Sequence, residues 1–364
     1  MSSHFYFRRN LLSNTTVRRG KSQGFSSALV LCSLLVFFFG VVLTPSAHSQ
    51  NTDPIGAAST YSALSSQTNY RATPGVYGSI SSVGSDSLAN LMALWAEEFQ
   101  RLYPHVKFQI QATGSATASQ ALTQGTASIG PMSRALSAVE IDRFIRKHGY
   151  PPTALVVALD AISIYVEKNN PLTQLTIDEV DGIFSATRFC GHKAALNDWS
   201  QLGVSKFGVT KNIQVFGRNS ASGTYDLFKK LALCGGDFLI TVNEMPSSSS
   251  VVQSIAASIG GIGYAALGHS NRDVRALALS ADGKEYVMPN AENIELGKYP
   301  FSRYLYIVVN KAPGQDLPLL ERTFLRYMLS ADGQKVVSDT NYYPVTGRLL
   351  QRQLNLISSK GNVK

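Results

Sequence analysis

Three stretches concentrate small hydroxyl residues beside glycine: Gly84-Ser85-Asp86-Ser87, Gly114-Ser115-Ala116-Thr117 and Arg218-Asn219-Ser220-Ala221-Ser222-Gly223-Thr224. Each lies between a β-type run and the opening of a helical pattern. A helix N-terminus offers unpaired N–H groups and about half a positive charge, and a Ser or Thr beside it adds a donor with little bulk. Taken singly, each turn is explained by helix capping, which Ser and Thr perform routinely. Three together, one preceded by Arg218, point to an oxyanion site. The guanidinium fork can hold two oxygens of a tetrahedral anion while Ser222, Gly223 and Thr224 supply hydroxyls and amides. The plainer reading of Arg218 is a solvated surface charge.

The elements that must position these residues alternate. Residues 77–83 form a short β run, and Leu88, Leu91, Met92, Trp95, Phe99 and Leu102 recur at helical spacing until Pro104. Val106, Phe108, Ile110 and Ala112 alternate with Lys107, Gln109 and Gln111, as in a strand with one wet face. Ser137 with Glu140, and Thr176 with Glu179, read as capping boxes. Residues 155–167 are a long β-rich run, 212–217 a strand, 224–233 a helix, 304–310 a strand and 317–329 a helix. The pattern predicts mostly parallel sheets flanked by helices, and the length favours two lobes.

Of the 364 residues, 44% are apolar and 16% charged, which rules out a disordered or collagen-like chain. The net charge of +9 owes five units to Arg8, Arg9, Arg18, Arg19 and Lys21, so no nucleic-acid partner is expected. Those five precede an apolar run at 28–43 and the small residues of Ala47-His48-Ser49, the layout of a signal peptide cleaved near Ser49. The alternative, a membrane anchor, suffers from a run shorter than the roughly 20 residues needed to span a bilayer. Residues 50–76 read as a flexible linker, and the fold is expected to begin near Val76. Outside the leader, Cys190 and Cys234 suggest a disulfide in an oxidising compartment, or else two separate buried thiols. His105, His148, His192 and His269 stand apart, so neither a metal nor another cofactor is expected.

The turns at Gly84–Leu88 and Gly114-Ser115, the segment Ile129-Gly130-Pro131-Met132-Ser133-Arg134 and the R-x-x-x-S-G-T of Arg218 to Thr224 occur in an order that resembles the periplasmic phosphate-binding protein of the bacterial phosphate ABC importer. Gly261-Ile262-Gly263-Tyr264, Tyr299-Pro300-Phe301-Ser302-Arg303 and Ser330-Ala331-Asp332-Gly333-Gln334 fit the family's closing portion, and the resemblance spans about Val76 to Arg348.

The resemblance implies a two-lobed type II periplasmic-binding-protein fold with a two-strand hinge: residues 77–163 and 303–349 as lobe I, 164–302 as lobe II and 350–364 as a tail. It implies inorganic phosphate held by Ser85, Ser87, Ser115, Ser133, Arg218, Ser222, Gly223 and Thr224, without covalent chemistry. An inner-membrane ABC permease would be the partner of a periplasmic monomer. Many relatives carry an aspartate near the third segment, where Ser128 and Ser133 stand here; Asp86 is the nearest remaining carboxylate and the possible proton acceptor for hydrogen phosphate. The alternatives are a binder of sulfate, molybdate or an organic phosphate, an adhesin on the same scaffold, and a secreted hydrolase or phosphatase. No G-x-S-x-G elbow supports the last of these.

Overall fold

The computed structural model describes residues 69–205 and 211–358. The leader, most of the 50–76 segment and the last six residues lie outside them. Among the described residues no helix is long and apolar enough to cross a membrane.

The chain opens with β1 (Gly78–Val83), a 3-10 turn (Asp86–Leu88), α1 (Ala89–Leu102), β2 (Val106–Gln111), α2 (Ser115–Gln124), β3 (Ile129–Met132), α3 (Ala138–His148) and β4 (Thr153–Glu167). It continues through β5 (Gln174–Thr176), α4 (Ile177–Phe184), β6 (Gln214–Arg218), α5 (Gly223–Ala232), β7 (Asn243–Met245), α6 (Ser248–Ala256), β8 (Gly261–Ala266), β9 (Val274–Ala276) and β10 (Ala278–Ser280). The last elements are α7 (Ala291–Glu295), β11 (Ser302–Val309), α8 (Leu319–Met328), α9 (Ala331–Asp339) and α10 (Gly347–Ile357).

One sheet runs β2-β1-β3-β11-β4-β8-β6-β7, with β9 also paired to β4, while β10 and β5 form a small separate pair. β1 is parallel to β2 and β3, and β6 is parallel to β7 and β8. Between these parallel halves, β11 runs antiparallel to β3 and β4, and β4 runs antiparallel to β11 and β8, so β4 joins the two. The 15 residues of β4 are almost continuously apolar because both faces are covered. Ile80, Trp95, Phe99, Val157, Leu305 and Phe324 share one core; Ile164, Phe184, Phe228, Tyr264 and Phe301 share another.

Both capping boxes are present, at Ser137/Glu140 and Thr176/Glu179. Four expectations need correction. Leu102 is exposed, because α1 ends before its apolar stripe can turn back to the core. Ile110 is also exposed, because β2 is the sheet edge. The packed chain begins before Val76: Tyr70 donates its N–H to Asp332 Oδ2 at 2.7 Å and stacks edge-on against Tyr327. The end of the chain is no tail as far as residue 358, since Leu350 and Ile357 of α10 are buried and Gln353 Oε1 accepts from the Val156 N–H at 3.0 Å.

Candidate functional site

The hydroxyl-bearing turns meet in one place. Ser85, Ser87, Ser115, Ser133, Arg218, Ser222 and Thr224 are all buried. Ser87 Oγ and Thr224 Oγ1 lie 3.0 Å apart, and Ser115 Oγ lies 3.2 Å from Ser133 Oγ and accepts the Ser133 N–H at 3.0 Å. Gly223 sits so close to these last two that a Cβ there would collide with Ser115 Oγ and lie 2.7 Å from Ser133 Oγ. Gly114, at φ 120°, lets α2 begin against the 218–224 loop, and Ala116 donates its N–H to Ala221 O at 3.2 Å.

These hydroxyls are already polarised by the backbone. Ser85 Oγ accepts the Ser87 N–H at the 3-10 turn, and Ser222 Oγ accepts the Thr224 N–H at the start of α5. Capping and anion binding are therefore compatible: an oxygen that accepts from a helix end keeps its own hydrogen for a guest.

Arg218 ends β6, and Asp86 opens the 3-10 turn after β1. Arg218 Nη1 donates to Asp86 Oδ2 at 2.7 Å and to Ser248 Oγ at 3.1 Å, Nε to Met245 O at 3.2 Å and Nη2 to Pro246 O at 2.9 Å. Four of the five guanidinium N–H bonds are thus used, leaving one on Nη2. The expected two-pronged grip on an anion is corrected to a single remaining donor, because the carboxylate and the 245–248 turn occupy the fork. Asp86 Oδ2 also accepts the Ser248 N–H at 3.2 Å, whereas Asp86 Oδ1 is buried without a hydrogen-bond partner.

Further participants escaped the reading of the sequence. Ser248 starts α6 and adds another helix N-terminus beside Asp86. His269 Nε2 lies 3.2 Å from Ser87 O, its Nδ1 lies 2.8 Å from Ser249 Oγ, and Tyr342 donates its hydroxyl to the same Ser87 carbonyl at 2.5 Å. Burial pushes the His269 imidazole below its ordinary range, against the pull of the nearby Asp86 and Asp160 carboxylates. Arg303 and Asp160 form a second buried ion pair at 2.6 Å. Their signal was present: Asp160 is an acid set in the middle of an apolar strand and must find a cation when buried.

Residues 69–332 match the PBP superfamily domain. The Pseudomonas aeruginosa phosphate-binding protein PstS is 49% identical over 302 residues, covering 82% of this chain and 94% of that one. The chain belongs to the PstS family. Bacillus subtilis PstS is 31% identical over 284 residues, 76% of this chain and 84% of that protein. A Clostridium perfringens structure described as a phosphate ABC transporter substrate-binding protein with bound phosphate superposes with TM-score 0.63 at 25% identity, covering 74% of this chain and all of that one. The fold is the two-lobed type II periplasmic-binding fold of these PstS-family neighbours. Cys190 and Cys234 are joined, with Cα atoms 5.2 Å apart, on either side of α5.

Proposed function

We propose that this protein binds one inorganic phosphate in the closed cleft, between a lobe of residues 77–163 with 303–349 and a lobe of 164–302, and delivers it to an inner-membrane ABC permease. Ser85, Ser87, Ser115, Ser133, Ser222, Gly223 and Thr224 donate hydroxyls and amides, and Arg218 offers one N–H and its charge. The carrying observation is the buried, unpartnered Asp86 Oδ1, on the carboxylate whose other oxygen accepts from Arg218 and from the Ser248 N–H at the start of α6. Hydrogen phosphate brings a proton for that oxygen; sulfate at neutral pH does not and meets lone-pair repulsion instead. Its phosphate-binding relatives support the same reading.

About eight charge-assisted bonds at roughly 1.5 kcal/mol each outweigh several kcal/mol of association and closure cost, giving an affinity near micromolar or tighter. Hinge motion about β4 and β11 would admit the anion. Export, with cleavage near Ser49, places the protein in the periplasm as a monomer that performs no catalysis.

Competition calorimetry with phosphate, sulfate and molybdate tests the reading. One phosphate per chain, with sulfate much weaker, is expected. Absence of phosphate binding, or a preference for sulfate, overturns it. Turnover of a chromogenic phosphate ester would overturn the non-catalytic assignment.

A further inference from the structure

Arg303, the second residue of β11, lies directly opposite Asp160 of β4 in the antiparallel register. Its Nε and Nη2 both donate to Asp160 Oδ2, at 2.8 and 2.6 Å. The remaining edge turns to the cleft: Nη1 donates to Thr224 Oγ1 at 2.9 Å and to Ser133 O at 3.3 Å. Asp160 Oδ1 accepts the Leu267 N–H at 3.1 Å, which fixes the turn carrying His269 toward Ser87. This one pair therefore touches a residue from each side of the cleft while sitting on β4, which pairs with both halves of the sheet, and on its neighbour β11.

We propose that Arg303 is a positioning residue for anion binding, acting through the Thr224 hydroxyl. An Oγ1 that accepts a charge-assisted bond from a guanidinium must direct its own hydrogen elsewhere, and the bond strengthens that hydrogen as a donor. Where Ser87 Oγ, 3.0 Å away, donates into the second lone pair, Thr224 keeps its own hydrogen for the guest. Asp160 keeps the planar fork oriented and in register, so the hydroxyl of α5 is set from β4 and β11. Lysine could balance the Asp160 charge but lacks a planar fork to reach Asp160, Thr224 and Ser133 together.

The inference rests on phosphate binding in this cleft, and the wild-type phosphate isotherm tests that separately: a wild type that binds no phosphate removes the functional reading, whereas the outcomes below concern Arg303 alone. Arg303→Gln, Thr224→Val and the double variant are titrated with inorganic phosphate, and thermal melts of the unliganded proteins verify folding. Arg303→Gln alone should weaken binding on the order of tenfold or more, and the same change in the Thr224→Val background should cost little. Multiplicative losses, or unchanged affinity in a folded Arg303→Gln, overturn the proposal. If Arg303→Gln does not fold, Arg303→Lys carries the same cycle: weakened phosphate binding that vanishes with Thr224→Val supports it, and wild-type affinity overturns it by showing that charge alone suffices.

Discussion

Asp86 Oδ2 lies 2.7 Å from Arg218 Nη1, although the two residues are 132 positions apart. Both are buried, so neither charge can be removed without stranding the other. Arg218→Ala should weaken phosphate binding by more than about 2 kcal/mol and lower unfolding stability by about 3 kcal/mol. Calorimetry and chemical denaturation read the two losses; an unchanged affinity removes Arg218 from the site.

Asp86→Asn turns Oδ1 from a pure acceptor into part of an amide and leaves the Arg218 charge uncompensated. Both changes favour a fully ionised anion. Discrimination between phosphate and sulfate should fall by about tenfold, more than phosphate affinity itself. Equal losses for both anions would contradict the acceptor role.

At Gly223 an alanine methyl would press on Ser115 and Ser133. The variant should fold, with phosphate affinity reduced by about 1–3 kcal/mol as those hydroxyls are displaced. Wild-type affinity would mean that the two serines contribute nothing to the guest.

His269 is held below its ordinary value of 6.5 chiefly by burial. A base with a depressed folded pKa binds more protons unfolded than folded, so stability rises with pH across the interval between the two values. As pH falls from about 7 to 5, the wild type should lose stability faster than His269→Gln, whose side-chain amide can still donate to Ser87 O. Parallel stability-against-pH curves for the two proteins would refute this.

The Cys190–Cys234 bond closes a loop of residues 191–233 that contains α5. Replacing both cysteines with serine should cost about 2–4 kcal/mol. Thermal melts of the two forms, and of wild type with a reductant, should shift together; superimposable melts would count against any stabilising role.

Local rules were legible in the chain. The capping boxes of α3 and α4, the apolar stripe of α1 and the nearly continuous apolar run of β4 are spelled out by residues three, four or two apart. The hydroxyl turns marked the strand ends that meet in one place for the same reason: cap chemistry is set within a few residues. The spacing of Leu350, Leu354 and Ile357 was helical too, yet a terminal segment becomes α10 only where β4 offers it a surface.

What only the tertiary structure decided is which polar groups meet. Asp86 as partner to Arg218, Ser248 and His269 near it, and Arg303 bridging Asp160 to Thr224 all depend on β4, with β11 beside it, joining both halves of one sheet. A buried charge announces that it needs a partner because desolvation is costly, but the chain that supplies the partner is chosen by strand pairing, and strand pairing is not local.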